Sequence, residues 1–200
     1  EHRPVVTGIQ VSPTGDSSRT SDGRTRDPTL ARRLRQQLPC PVVGPDDIRY
    51  EHARRVWNAA IDRYPTAVVR CSSPDDVVAS VRVLTAGGIP FTIRGGGHNV
   101  AGNAVRDDAV VIDLSGLRRV AFDVDTRLVT VDGGCVWGDV ERPAADRGCV
   151  VPTGMISHTG VAGLVLGGGT GYLTRQLGTT SDSLLAVEVV LADGRLLRAD

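Results

Sequence analysis

The stretch that decides the fold is "IPFTIRGGGHNVAGNAV", residues 89–105. It opens as a short run of apolar and β-branched residues. At Arg94 it passes into a loop holding Gly95, Gly96, Gly97 and Gly102 around one imidazole, His98. So much glycine excludes a helix. It suits a place where backbone takes a positive φ or comes close to something else. Just upstream, "TAVVRC" (66–71) reads as a buried strand. "SSPDDVVASVRVLTAGG" (72–88) reads as a helix, with Ser73 as N-cap, Pro74 in the first turn, and Asp75 and Asp76 at the positive end of the dipole. Val77, Val81 and Leu84 share one face, and Gly87 or Gly88 ends it. This is a β-α-β unit in which strand 89–94 is expected to run parallel to strand 66–71. The glycine loop starts where that strand ends, the place where open α/β sheets bind ligands.

Downstream the character changes. "AVVIDLS" (109–115), "RRVAFDVDTRLVTVDGG" (118–134) and "SLLAVEVVLADGRLLRAD" (183–200) read as strands, with "VDTR" and "ADGR" as hairpin turns. "WGDVERPAADRG" (137–148) reads as a helix closed by Gly148, bent or shortened by Pro143. Upstream of the β-α-β unit, "PDDIRYEHARRVWNAA" (45–60) places Ile48, Ala53, Val56 and Ala60 at helical spacing. "PTLARRLRQQL" (28–38) could form a short amphipathic helix. Residues 1–27 are rich in Ser, Thr, Asp, Gly and Arg without periodicity. The fold class is therefore α+β. A disordered or weakly ordered tail (1–40) precedes a small parallel α/β subdomain (41–104) and a mostly antiparallel α+β subdomain (105–200). The sequence begins at Glu1 rather than Met, and both ends read as cut.

With 23 acidic and 23 basic residues in 200, the charge balance gives no footprint for nucleic acid or an anionic membrane. Every basic residue of the Lys/Arg class is Arg, which removes a Schiff-base lysine and a P-loop. No apolar run nears the roughly 20 residues that span a bilayer. No secretory apolar core stands at the start, and a cytoplasmic setting is expected. Cys40, Cys71, Cys135 and Cys149 form no CxxC pair and are read as free thiols, with no metal site expected. There is no HExxH and no GxSxG.

A second glycine cluster lies in "PTGMISHTGVAGLVLGGGTGYLTRQLG" (152–178). It fails as a dinucleotide fingerprint, because the third glycine is replaced by Tyr172 in one frame and Thr174 in the other. Two bare loops can instead offer backbone N–H groups to an elongated anionic ligand. Gly95 to Asn99 would cradle a pyrophosphate, and Gly160 to Gly171 would lie against a flat ring. The plainer alternative makes both clusters tight turns only.

The segments "VVRCSSPDDVVASVRVLTAGGIPFTIRGGGHNVAGNAV", "VVIDLSGLRRV", "GGCVWGDV" and "VPTGMISHTGVAGLVLGGGTGYLTRQLGTTSDSLLAVEVVLADGR" follow in order. From about Gly44 to Asp200 the chain resembles the FAD-binding (PCMH-type, type-2) domain of the vanillyl-alcohol oxidase group, within it the berberine-bridge-enzyme-like FAD-linked oxidases. The resemblance implies FAD held by Arg94, Gly95, Gly96, Gly97, His98, Asn99, Thr159, Gly160, Gly163 and Gly168. It adds backbone around Val187 and Val189, in preference to Asp182. It implies a covalent bond from His98 to the flavin 8α-methyl group. Ile156 stands where some members carry a second, cysteinyl tether, so a single tether is implied. It further implies hydride transfer from a small-molecule, alcohol-type substrate and reoxidation by molecular oxygen to peroxide. In that family the substrate pocket and catalytic base come largely from chain after the matched segment. The resemblance therefore implies a truncated second subdomain with the substrate domain absent, and no catalytic base is identifiable in this sequence. Tyr172 and His158 lie in the loop expected to face the ring, with His158 read first as a loop-stabilising hydrogen-bonding residue. Two other readings stay open, a non-covalent FAD reductase of the same fold and a binding module without turnover.

Overall fold

Val110–Asp113 is buried at every residue, and the first sheet is built around it. A computed structural model describes residues 28–200; the tail read over 1–27 lies outside the described residues. A strand covered on both faces must sit centrally in a parallel sheet. In chain order the elements are α1 (Thr29–Gln37), β1 (Val42–Val43), α2 (Tyr50–Ala53), β2 (Ala67–Arg70), α3 (Pro74–Ala86), β3 (Phe91–Arg94) and β4 (Val110–Asp113). Then come β5 (Val120–Asp123), β6 (Leu128–Val131), α4 (Trp137–Ala145), α5 (Val161–Leu166), α6 (Thr174–Leu177), a 3-10 turn (Thr180–Ser183), β7 (Val187–Val190) and β8 (Leu196–Ala199). The first sheet has the order β1-β2-β4-β3. Both β2 and β3 run parallel to β4, with Val69 and Ile93 flanking Ile112, and β1 runs antiparallel to β2.

The β-α-β unit forms as expected, with one refinement. β2 and β3 are parallel but not adjacent, because β4 inserts between them. α3 starts where the sequence says it should. Ser73 accepts from the Asp76 N–H, and the Asp76 carboxylate accepts from the backbone of Ser72 and Ser73. Val77, Val81 and Leu84 face the core with Val69, Val110 and Ile112.

Three expectations are corrected. The boundary at residue 40 cuts through packed structure, because Ala31 and Leu34 of α1 are fully buried in the first core. The boundary at 104/105 fails because β4 completes the first sheet. The helix expected over 45–60 is only one turn, Tyr50–Ala53, and Ile48 is almost wholly exposed. Here side chains compete for the backbone. The Asp47 carboxylate accepts from the Arg49 N–H, and Asn58 Oδ1 accepts from the Ala60 N–H.

The second half is antiparallel, as read. β5 pairs with β6 and β7 with β8, around turns where Arg127 and Gly194 take positive φ. Pro143 is carried inside α4 without ending it. A second core gathers Cys135, Trp137, Val140, Val161 and Val165 beneath the β5–β6 ribbon. β7 joins the halves, because Val190 packs into the first core and the Thr85 hydroxyl donates to Ala192 O.

Candidate cofactor site

Arg94 and Asp113 are register partners at the ends of β3 and β4, where the glycine loop begins. Their side chains are nearly sealed from solvent and joined by a two-point ion pair, Nη2–Oδ2 at 2.8 Å and Nε–Oδ1 at 3.3 Å. The other side of the guanidinium donates to two carbonyls, Ala53 O at 2.6 Å and Arg55 O at 3.2 Å. Such a planar, multi-donor fit is specific to Arg. It anchors the chain after α2 over the start of the glycine loop. Two further bonds dock the two segments, Trp57 N–H to Gly97 O (3.1 Å) and Asn58 Nδ2 to Val100 O (2.9 Å). Gly97 has φ +66°, which lets the loop turn there without strain.

That docking fixes His98. Its ring stacks on Trp57, with centroids 4.2 Å apart and planes 18° apart, and meets His158 on another side at 4.9 Å. Nε2 of His98 is buried without a hydrogen-bond partner. Burial first, and the nearby His158 second, push the imidazole below its ordinary value of 6.5, so the ring is neutral at pH 7.

The second glycine loop reaches the same place from the other half of the chain. Residues 157–161 are pinned to the start of α4. Trp137 N–H donates to Thr159 O (3.0 Å), Gly138 N–H to Ser157 O (2.7 Å) and Val161 N–H to Cys135 O (2.9 Å). Gly160 then lies directly on Gly96. A Cβ on Gly96 would stand 2.5 Å from Gly160 Cα, and one on Gly160 would stand 2.9 Å from Gly96 Cα. Glycine is required here by backbone-on-backbone contact. At Gly163 and Gly168, in contrast, a Cβ would meet open space; Gly168 also has φ +93°.

The structure thus unites Gly95, Gly96, Gly97, His98, Thr159 and Gly160, with Gly163 one turn further along α5. Arg94 serves the site through Asp113 and the 53–55 carbonyls. Asn99 is exposed and accepts from the Asn103 N–H. Val187 and Val189 stand on β7, on the face opposite buried Glu188 and Val190. His158 and Tyr172 are exposed. Sequence reasoning missed Trp57 and Asn58, which had been placed in a helix, and Asp113. It also missed Glu188, whose Oε2 is buried without a partner. Among the described residues, no group of three or more His, Cys, Asp or Glu could hold a metal ion, and no helix is long and apolar enough to cross a membrane.

An orphaned imidazole nitrogen beside a seam of bare backbone fits a flavin dinucleotide, since the seam offers N–H donors and the ring offers a nucleophile. The comparisons agree. The FAD binding domain family matches residues 65–200. The chain is 34% identical over 156 residues to (R)-6-hydroxynicotine oxidase of Paenarthrobacter nicotinovorans, covering 78% of this chain and 34% of that protein. It is 36% identical over 152 residues to an FAD-linked oxidoreductase of Bacillus subtilis, covering 76% and 34%. The crystal structure of 6-hydroxy-D-nicotine oxidase from Arthrobacter nicotinovorans superposes with a TM-score of 0.78 at 33% identity, over 81% of this chain and 36% of that one. Glucooligosaccharide oxidase from Acremonium strictum, whose FAD is 6-S-cysteinyl and 8α-N1-histidyl, superposes at 0.76 with 27% identity, over 86% and 36%. The chain spans about a third of the length of these relatives. It belongs to the FAD binding domain family and has the PCMH-type fold of the berberine-bridge-enzyme-like FAD-linked oxidases.

Proposed function

We propose that this chain is the FAD-binding part of a flavin-dependent oxidase, that His98 carries the flavin covalently, and that the substrate is a small alcohol-type molecule with oxygen as electron acceptor. The observation that carries this reading is the unpartnered, buried Nε2 of His98 beside the Gly96–Gly160 seam. FAD, when bound, supplies the ring that accepts a hydride. The chain's own residues bind and orient it. Backbone N–H groups from Gly95 to Asn99 would hold the pyrophosphate, as bare backbone does for anions. Gly160, Gly163 and Gly168, with the backbone of Thr159, would line the path of the dinucleotide. β7 pairs only with β8 among the described residues. Counting from the Leu191 N–H to Arg195 O bond, Val187 and Val189 turn their amides to β8, so the backbone around them offers the other edge the amides of Glu188 and Val190.

His98 is prepared as a nucleophile by its surroundings. It is neutral at pH 7, and Trp57 limits the ring's orientations from one face. Ile156 carries no thiol, so one tether is the reading. The four cysteines are free, which goes with a reducing, cytoplasmic compartment. We infer that the base and the substrate pocket belong to the portion of such proteins that this chain does not span.

The test is acid precipitation of protein produced with FAD. Flavin that stays with the pellet and fluoresces as a band on a denaturing gel supports the tether. His98→Ala should bind FAD and release it on denaturation. If the folded wild type surrenders all its flavin to the supernatant, the tether is wrong while FAD binding stands. If the folded protein takes up no flavin at all, the whole reading falls.

A further inference from the structure

Cys40 follows α1 and Cys71 follows β2. The antiparallel register of Val42 with Val69 and Val43 with Val68, continued outward by two residues, sets Cys40 opposite Cys71. The pair between them, Pro41 with Arg70, carries the hydrogen bond from Arg70 N–H to Pro41 O at 2.9 Å. Bonded and non-bonded pairs alternate along such a ladder, so Cys40 and Cys71 occupy a non-hydrogen-bonded position. There facing Cα atoms approach to about 4.5 Å, within the roughly 4.4–6.8 Å that a disulfide spans.

The side chains meet accordingly. Both sulfurs contact one hydroxyl, Ser80 Oγ, at 3.9 Å from Cys40 and 3.7 Å from Cys71. Ser80 is fully buried on α3, and its own hydrogen is given to Asp76 O at 2.6 Å. The hydroxyl oxygen therefore accepts from the thiols and orients both. The two cysteines differ in access. Cys71 is sealed, whereas Cys40 forms part of the wall of a surface cavity of about 430 Å³, together with Arg35, Asp47 and Arg49. The neighbouring Cys71 thiol draws Cys40 below its ordinary value, and Cys71 is itself pushed up. Cys40 is thus the attacking thiol and Cys71 the resolving one.

We propose that Cys40 and Cys71 form a peroxide-responsive dithiol, which closes to a disulfide tying the end of α1 to the end of β2. The oxidant is hydrogen peroxide, small enough to enter the cavity. The Cys40 thiolate sulfur attacks one peroxide oxygen and the O–O bond breaks. Cys40 becomes the sulfenic acid, and the departing hydroxide takes a proton to become water. Cys71 sulfur then attacks Cys40 sulfur, the S–O bond breaks, and the hydroxyl leaves as a second water with the Cys71 proton. Two thiols lose two electrons in total, and one peroxide is reduced to two waters. The new bond closes residues 40–71 into a ring that contains α2 and Trp57. Oxidation therefore fastens the segment that stacks on His98. The dithiol stands on its own geometry and does not depend on the flavin reading.

The experiment treats the reduced full chain with one equivalent of hydrogen peroxide, alkylates the remaining thiols under denaturing conditions, and maps tryptic peptides. The expected result is loss of two of the four free thiols. Peptides 36–49 and 71–82 should be disulfide-linked, Cys135 and Cys149 alkylated, and all four thiols recovered after dithiothreitol. Alkylated Cys40 and Cys71 alongside oxidised Cys149 would overturn the proposal. Cys71→Ser removes the resolving thiol. In it, peroxide should leave Cys40 as a sulfenic acid that dimedone traps, and absence of that adduct also overturns the proposal. If Cys71→Ser does not fold, the wild-type peptide map still decides.

Discussion

Gly96→Ala is the smallest change that tests the contact on which the cofactor site rests. The added Cβ would stand 2.5 Å from Gly160 Cα, whereas ordinary contacts begin near 3.4 Å, so the two loops must part by about 0.9 Å. Neither side can yield cheaply. Gly96 follows the Arg94–Asp113 anchor, and Gly160 is held by the α4 and Cys135 backbone bonds. Forcing a methyl into a packed seam costs about 1–3 kcal/mol. For a chain of this size that lowers the melting temperature by about 2–12 °C. If the displaced seam is also where FAD lies, its dissociation constant rises by roughly 5–150-fold for the same energy. Gly163→Ala is the control, because its Cβ would enter open space within α5. There the helix should be stabilised by roughly 0.4–1 kcal/mol, and any loss of FAD affinity would report the ligand itself. The assays are a thermal melt without flavin and a flavin-fluorescence titration. Gly96→Ala melting with the wild type and binding FAD equally well would refute the seam.

Three further outcomes are expected. Arg94→Met should destabilise the protein by about 3–5 kcal/mol, because it strands the buried Asp113 carboxylate, and adding Asp113→Leu should recover part of that in denaturant melts. Trp57→Ala should raise the His98 pKa toward 6.5, followed by NMR titration, and slow flavin attachment, since it removes a stacking partner. The depressed His98 pKa also fixes the sign of a pH effect. The folded state binds a proton there less readily than the unfolded chain, so the His98 contribution is fully present above about 6.5 and is lost as pH falls through the lower, folded value. Denaturant melts between pH 8 and pH 5 should therefore lose more stability in the wild type than in His98→Gln; parallel curves would remove that contribution.

Much of the fold could be read from residues whose signals are local. Ser73 with Asp76 announced α3, strand-like runs joined by the turns "VDTR" and "ADGR" announced β5–β6 and β7–β8, and the glycines announced the two loops. What escaped was decided by distant partners. Val110 to Asp113 is a plain apolar run, and nothing in it says that it enters between β2 and β3 rather than starting the antiparallel half. The apolar spacing over 45–60 is helical, yet the Trp57 amide goes to Gly97 O and the Asn58 side chain to Val100 O. A helix through Trp57 would have to give up that docking. Trp57 was therefore invisible as a site residue, because its role depends on a loop forty residues away. Arg94 was legible as part of the motif but not in its role, since its anion and its carbonyls come from two other segments, Asp113 and residues 53–55.

Arg94 also explains why sheet register and site geometry cannot vary independently. Side chains alternate along a strand, so a one-residue slip of β3 against β4 would turn Arg94 to the other face. It would then lose Asp113 and the Ala53 and Arg55 carbonyls together, and a buried carboxylate would be left with only the Ser115 donors and a distant Arg70. The penalty for an unpaired buried charge falls on any register but the native one. The same bonds set where the chain after α2 lies, hence where the Trp57 ring lies, hence which face of His98 stays open. The sheet thus determines the imidazole's orientation through a chain of contacts made of backbone and charged hydrogen bonds up to Trp57, whose stack on His98 is the last link. That is why a titratable ring can stand in a loop of glycines and still be held in one place: the loop itself carries almost no side chains, and its rigidity comes from what is docked on it.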